Sequence, residues 1–332
     1  MNAFVANRVV AVPVAAPPGH WIGAGGSMIL EEDKQTGSVR KHYIGMITML
    51  DILAHIAGDY NSGSILDEST LEQRMSVPVS SIIGHCLESL SLWTLNANTS
   101  VLECMEVFSK GIHRALVPID GKADNPTGVE LMDSASGYRM LTQMDLLRFI
   151  KAHDNDLKSI LSHSVSEAGA INDVVFGVTA KTKVIDAIKC MRSASLNAVP
   201  ILEVSETMDD NHTQLINGKG RKLVGTFSST DLRECPIAQM HSWLSASVLD
   251  FTEILGSISN SKGGESDMGS APWELVTCCA GTTLSEVIDK VVSSHVHRIW
   301  VVKDDDKGCL DGLVSLTDLI KVIRAAVIAE SR

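Results

Sequence analysis

Four aspartates each stand three residues after a hydroxyl residue, as Thr48-x-x-Asp51, Thr142-x-x-Asp145, Ser228-x-x-Asp231 and Ser315-x-x-Asp318. In each copy a β-rich apolar run precedes the motif and a helix-like run follows it, as in RMLTQMDLLRFI and GLVSLTDLIKVI. A strand ending at a helix N-terminus aims free backbone N–H groups and a positive dipole end at any nearby anion. An aspartate held there can accept two hydrogen bonds from a cis-diol such as a ribose. The same spacing also describes a plain helix cap, with the hydroxyl at the N-cap and the carboxylate at the third helical position.

Two copies add a basic pair on the strand before the motif, His113-Arg114 and His297-Arg298. The corresponding positions, with one residue of slack, are Leu196-Asn197 and Val9-Val10. A guanidinium presents a fork that matches phosphate oxygens, and the imidazole adds a donor whose charge responds near neutral pH. With 28 basic against 40 acidic residues in the chain, two such pairs at equivalent places favour an anion site over solvated surface pairs.

The elements that must hold these residues recur. The aspartates lie 94, 86 and 87 residues apart, the mark of an internal repeat. Upstream of the last three lies a second shared block: TSVLECMEVFSKGIHRALVPID from Thr99, TKVIDAIKCMRSASLNAVPILE from Thr182 and TTLSEVIDKVVSSHVHRIWVVKD from Thr282. Apolar residues recur there at helical spacing, as with Val184, Ile185, Ile188 and Met191, or Leu284, Val287, Ile288 and Val291. Ser100-x-x-Glu103 and Thr283-x-x-Glu286 fit capping boxes. Runs such as Ala115 to Ile119 and Ile299 to Val302 then read as buried strands. Thr99, Thr182 and Thr282 stand just before the helix, placed either to start it or to meet a ligand. Each unit is therefore β-α-β, a variable polar loop, then β-α. The expected limits are 1–56, 82–150, 165–236 and 272–330, the first unit lacking its opening strand and part of a helix. Gly58 to Ser64, His153 to Gly169 and Ser257 to Ser270 read as solvated linkers. Gly121 to Gly137 and Glu206 to Arg221 read as solvated loops within units.

This order, with S/T-x-x-D at the last strand–helix junction, resembles the cystathionine-beta-synthase (CBS) domain. Four tandem copies resemble the gamma regulatory subunits of the AMP-activated and sucrose-nonfermenting-related protein kinases, including the plant PV-forty-two-like group, over nearly the whole chain. The resemblance implies an α/β fold of four tandem CBS repeats paired into two Bateman modules in a flat disk, the first repeat truncated. It implies AMP, ADP or ATP as regulatory ligands in clefts between repeats, no catalytic cofactor, kinase catalytic and beta-type subunits as partners, and an energy-sensing role in the cytoplasm and nucleus. Carried onto this chain, it makes Asp318, Asp145 and Asp231 ribose ligands beside Ser315, Thr142 and Ser228. It makes His297, Arg298, His113 and Arg114 phosphate contacts, and Thr99, Thr182 and Thr282 base or ribose contacts. The fourth repeat combines all of these features and is expected to hold the best site. The rival reading is an interaction scaffold of the same fold whose clefts are empty or take a different adenosyl ligand.

Composition bounds the rest. The 332 residues are 45% hydrophobic and 20% charged, enough for packed cores. A net charge of −12 and the lack of a basic run argue against a nucleic-acid partner. No apolar stretch reaches the length of a membrane span. The apolar start through Ala16 reads as a core strand rather than a signal peptide. Seven cysteines, an odd number without C-x-x-C spacing, fit reduced thiols. Cys104, Cys190, Cys278 and Cys279 fall in apolar stretches as buried small hydrophobes. Trp93, Trp273 and Trp300 are expected as core anchors more than as base-stacking residues. Phosphate-loop, dinucleotide, zinc-protease and kinase motifs are missing, and Gly23, Gly25 and Gly26 read as turn glycines, so a non-catalytic protein with no catalytic or metal-binding residues is expected.

Overall fold

The computed structural model describes residues 4, 9, 11–15, 43–58, 73–84, 92–119, 138–204, 211–231, 239–261, 275–304 and 307–331. The first unit contributes β1 (Ala11–Ala15), β2 (Tyr43–Thr48) and α1 (Met49–Ala57). The second runs β3 (Trp93–Thr94), α2 (Val101–Phe108), β4 (Arg114–Pro118), β5 (Tyr138–Thr142) and α3 (Gln143–Ala152). A short α4 (Lys158–Leu161) leads to the third, with β6 (Phe176–Thr179), α5 (Val184–Ser193), β7 (Ala198–Leu202), β8 (Ile216–Asn217) and β9 (Leu223–Ser228). After α6 (Met240–Ser245) and α7 (Val248–Ser261) come β10 (Thr277–Cys278), α8 (Leu284–Ser293), β11 (Arg298–Val302), β12 (Leu310–Ser315) and α9 (Leu316–Glu330).

The hydroxyl–acid spacings start the helices as expected. Ser100 with Glu103 and Thr283 with Glu286 form capping boxes on α2 and α8, and Lys183, without a capping side chain, stands in their place before α5. A helix between two strands lets them run parallel, which a tight turn cannot do. Thus β3 with β4, β6 with β7, and β10 with β11 pair in parallel, while each of β4, β7 and β11 pairs antiparallel with the strand that ends in the aspartate motif.

The two large cores join units that are not neighbours in sequence. Helix α1 lays Met49, Leu50, Leu53 and Ile56 against Val184, Ile185, Ile188 and Met191 of α5, joining the first unit to the third. Helices α2 and α3 bring Phe108, Leu147 and Ile150 against Val287, Ile288, Leu319 and Ile323 of α8 and α9, joining the second to the fourth. Fully burying one such aliphatic or aromatic side chain contributes about 1.5–3 kcal/mol. A third, smaller cluster of Val175, Leu202, Leu223, Trp300 and Leu310 closes the sheets of the third and fourth units onto each other. There Asn172 and Leu313 exchange backbone hydrogen bonds, and a Cβ at Gly312 would lie 2.6 Å from Ile171 and 2.8 Å from the Asn172 carbonyl. That close approach is why the position holds glycine.

Several expectations need correction. His153 to Gly169 is a packed segment: it contains α4, buries Ile160, Leu161 and Val165, and donates the Val165 N–H to the Thr282 carbonyl. Part of Glu206 to Arg221 folds back as β8 on the free edge of β6. Trp93 is 40% exposed, whereas Trp300 is buried and donates its indole N–H to Thr226 at 2.7 Å. Cys104 and Cys278 are buried, with Cys278 pushed up to about 11 by burial, but Cys190 and Cys279 are only half-buried. Trp273, Gly23, Gly25, Gly26 and the stretch Gly121 to Gly137 lie outside the described residues. Among the described residues no helix is long and apolar enough to cross a membrane.

Candidate functional site

Strand register brings the basic pairs to the aspartates. Arg114 pairs with Thr142, Ala198 with Ser228 and Arg298 with Ser315, and in the first unit Ala11 pairs with Thr48. The equivalents of His-Arg are therefore Asn197-Ala198 and Val10-Ala11, one residue later than the helix-based count. The difference arises because α2 has eight residues where α5 and α8 have ten. The residue before each pairing position holds by its carbonyl the N–H that follows the motif's hydroxyl residue: Gln143 N–H donates to His113, Ser229 to Asn197 and Leu316 to His297, at 3.2, 3.0 and 3.3 Å.

The four aspartates have different surroundings. Asp51 is 0% exposed, inside the nearly all-apolar α1, where Thr48 donates to it through both its N–H and its hydroxyl. Asp145 accepts from the Thr142 N–H and hydroxyl on Oδ2, and from Arg148 at 3.3 Å on Oδ1. Asp231 accepts the Ser228 N–H at 2.7 Å, but the Ser228 hydroxyl turns to Thr230. Asp318 accepts from the Ser315 N–H and hydroxyl on Oδ2, at 2.9 and 2.6 Å. Its Oδ1 has no hydrogen-bond partner among the described residues, and the side chain is half-buried at the start of α9.

Beside Asp318, Arg298 reaches into the third unit. Its Nη1 donates to the Ala198 carbonyl at 2.9 Å, and its buried Nε has no partner. Burial pulls the guanidinium down to about 10, with the Asp318 carboxylate opposing the shift. The cation thus stays charged at neutral pH, set between the start of β7 and the fourth-unit aspartate, with one donor unused. His297 is exposed.

The threonines before the first helices close turns. Thr182 and Thr282 accept the N–H groups of Thr179 and Cys279 on their hydroxyls, at 3.1 and 3.0 Å. The Thr99 N–H likewise closes a turn on the Asn96 carbonyl. Thr182 is 0% exposed, and Thr179 beside it hydrogen-bonds His212 of the folded-back loop at 2.7 Å. Thr282 is half-buried, next to the shorter 303–309 connection. The third unit therefore covers Thr182 with its own loop, whereas Thr282 of the fourth is half-buried.

Repeat reasoning missed the polar contacts between the second and fourth units. Gln143 donates to the Phe108 carbonyl at 3.0 Å and to the Thr317 hydroxyl at 2.9 Å. Arg148 donates to His295 Nδ1 at 3.1 Å, Lys151 pairs with Asp289 at 2.7 Å and Arg324 with Glu106 at 2.8 Å. His295 has φ +52°, in the position where Ser195 has +54° and Gly111 +89°. A histidine where the second unit has glycine was the one available signal, since non-glycine residues rarely adopt that region. Burial and Arg148 both lower the His295 pKa. Among the described residues no cluster of His, Cys, Asp or Glu could hold a metal ion.

A CBS-domain model matches residues 271–325. The fold is that of MJ1225 from Methanocaldococcus jannaschii, described as a putative archaeal homolog of g-AMPK, with a TM-score of 0.59 at 17% identity, covering 96% of this chain and 90% of that one. Fold and match together define an α/β protein of tandem CBS repeats. The chain is 55% identical to the Arabidopsis thaliana SNF1-related protein kinase regulatory subunit gamma-like PV42a, covering 98% of this chain and 88% of the relative. It is 53% identical to PV42b of the same plant, covering 99% and 89%. The chain belongs to the PV42 family of gamma-like CBS proteins.

Proposed function

We propose that this chain is a non-catalytic, gamma-type regulatory subunit of a plant SNF1-related Ser/Thr kinase complex, in contact with catalytic and beta-type subunits in the cytoplasm and nucleus. In this reading four repeats, with limits near 1–56, 82–150, 165–236 and 272–330, carry the clefts, and AMP, ADP or ATP occupies them. The observation that carries the reading is the fourth cleft. Asp318 keeps one carboxylate oxygen for ribose hydroxyls, at the N-terminus of a 15-residue helix. Arg298 stands beside it with an unused donor and a neutral carbonyl as its other partner. A phosphate competes well for that guanidinium, because a charged acceptor forms roughly twice as strong a hydrogen bond. Taking Arg298 from Ala198 would loosen one tie between the third and fourth units, so the phosphate charge of the nucleotide would be felt in how the disk meets its partners.

His113, Arg114, Thr142 and Asp145 form a second cleft by the same logic, Ser228 and Asp231 a third that lacks its own arginine, and Thr282 and Ser315 complete the fourth. The scaffold alternative draws on the closed positions: Asp51 and Thr182 have no exposure. Equilibrium binding of AMP, ADP, ATP and S-adenosylmethionine to the purified chain separates the two. Sensing predicts a saturable isotherm for at least one adenine nucleotide, weakened by Asp318→Ala. Flat isotherms for all four ligands leave the scaffold.

A further inference from the structure

Gln143 is the first residue of α3, between Thr142 and Asp145, and Thr317 lies between Ser315 and Asp318 at the start of α9. Their side chains meet at 2.9 Å across 174 residues of sequence. Gln143 is buried, and its other amide hydrogen is used by the Phe108 carbonyl. Its own N–H is held by the carbonyl of His113, so one residue is bonded both to the basic pair of the second unit and to the motif of the fourth. The contact between the first and third units is built otherwise. There the corresponding residues of α1 are Met49 and Leu50, both buried and apolar, and Thr230 of the third unit is bonded within its own motif to Ser228.

We propose that the second and fourth clefts form a coupled pair through the Gln143–Thr317 hydrogen bond, so that filling one sets the affinity of the other; this rests on reading those clefts as nucleotide sites. Any shift of the α3 start on ligand binding moves Gln143 with it, because the residue belongs to that helix turn. Gln143 is buried and Thr317 half-buried, so losing the bond leaves the Gln143 amide poorly satisfied unless the Thr317 side follows it. Among the described residues, the corresponding positions of the first unit meet the third through apolar side chains, which fix register less strictly than a directional bond does.

The test is AMP titration of the full chain by calorimetry, with the second cleft intact or disabled by Asp145→Ala, each in the Thr317 and the Thr317→Val backgrounds. Valine matches threonine in shape and replaces its hydroxyl, the acceptor of this bond, with a methyl group, and Gln143→Met provides a second way to break the bond. With the bond present, disabling the second cleft should change AMP affinity at the fourth by about fivefold, the worth of one neutral hydrogen bond. With Thr317→Val or Gln143→Met, the same disabling should leave the fourth-cleft affinity unchanged. An equal effect of Asp145→Ala with and without the bond overturns the coupling and leaves the nucleotide reading standing, as does a wild-type stoichiometry of one AMP per chain. No AMP binding to the unaltered chain overturns the coupling, and flat isotherms for ADP and ATP as well overturn the nucleotide reading with it.

Discussion

Replacing Arg298 with methionine separates the binding role of this residue from its structural one. The wild-type guanidinium is pulled from 12.5 to about 10 by burial, and at 1.36 kcal/mol per tenfold change this represents about 3 kcal/mol held against the charged form. Against that stands one hydrogen bond from Nη1 to the neutral Ala198 carbonyl, worth about 1.5–3 kcal/mol when one partner is charged. Methionine is of similar length and carries no charge, so the two contributions nearly cancel and folding stability should stay within about 1–2 kcal/mol of wild type. Arg298→Ala would add a cavity and confuse the comparison. In binding the contributions do not cancel, because a phosphate loses its charged partner, so ATP affinity should fall about 10- to 100-fold. Adenosine, which has no phosphate, should bind as before. Thermal unfolding and isotherms for ATP and adenosine on the same preparation test both parts. A variant that unfolds far below wild type, or one that binds ATP normally, would refute the argument that this buried cation is held for a ligand rather than for the fold.

Asp318→Ala should weaken ATP and adenosine alike by about 10- to 100-fold, whereas Asp51→Ala, at a fully buried cap, should cost about 1–3 kcal/mol of stability in urea unfolding with ligand affinity unchanged. His295 has its pKa lowered in the fold, so the unfolded chain binds that proton more readily and stability should fall as pH drops through and below 6.5. The slope of melting temperature against pH in that window should flatten in His295→Gln. His212→Ala removes the imidazole held by Thr179, and the adjacent Thr213 carbonyl accepts from the Cys190 thiol. Alkylation of Cys190, followed by peptide mass spectrometry, should therefore speed up in the variant, and an unchanged rate would mean that the loop is held by its β8 pairing alone.

What the sequence revealed and what it hid divide by distance along the chain. The hydroxyl–acid motifs were legible because a capping box closes over three residues, and the spacing of Thr48 and Asp51 carries the whole bond. The β-α-β order followed from apolar periodicity in stretches such as Val184 to Met191. The partners of Arg298 and Gln143 were not legible, since Ala198 lies 100 residues from one and Thr317 174 from the other, and neither has any local signature. The enclosure of Asp51 is set by what α1 packs against, not by its motif, which matches that of Asp318. The segment His153 to Gly169 misled because its polar residues outnumber Ile160, Leu161 and Val165, the three that dock it. The one-residue offset at Ala198 came from counting through helices of unequal length, whereas strand pairing measures position directly.

The sharing of cores has a consequence for how the chain comes into being. A ribosome that has released the first two units has made half of one core and half of another, with α1 awaiting α5 and α2 and α3 awaiting α8 and α9. Apolar helix faces must therefore stay exposed until later units emerge, the situation in which nascent chains aggregate or recruit chaperones. Contacts of such high sequence separation also slow the closing steps. A cut between the second and third units should not yield two half-proteins that fold alone. It should yield two fragments that are each unstable and that recover order only when mixed.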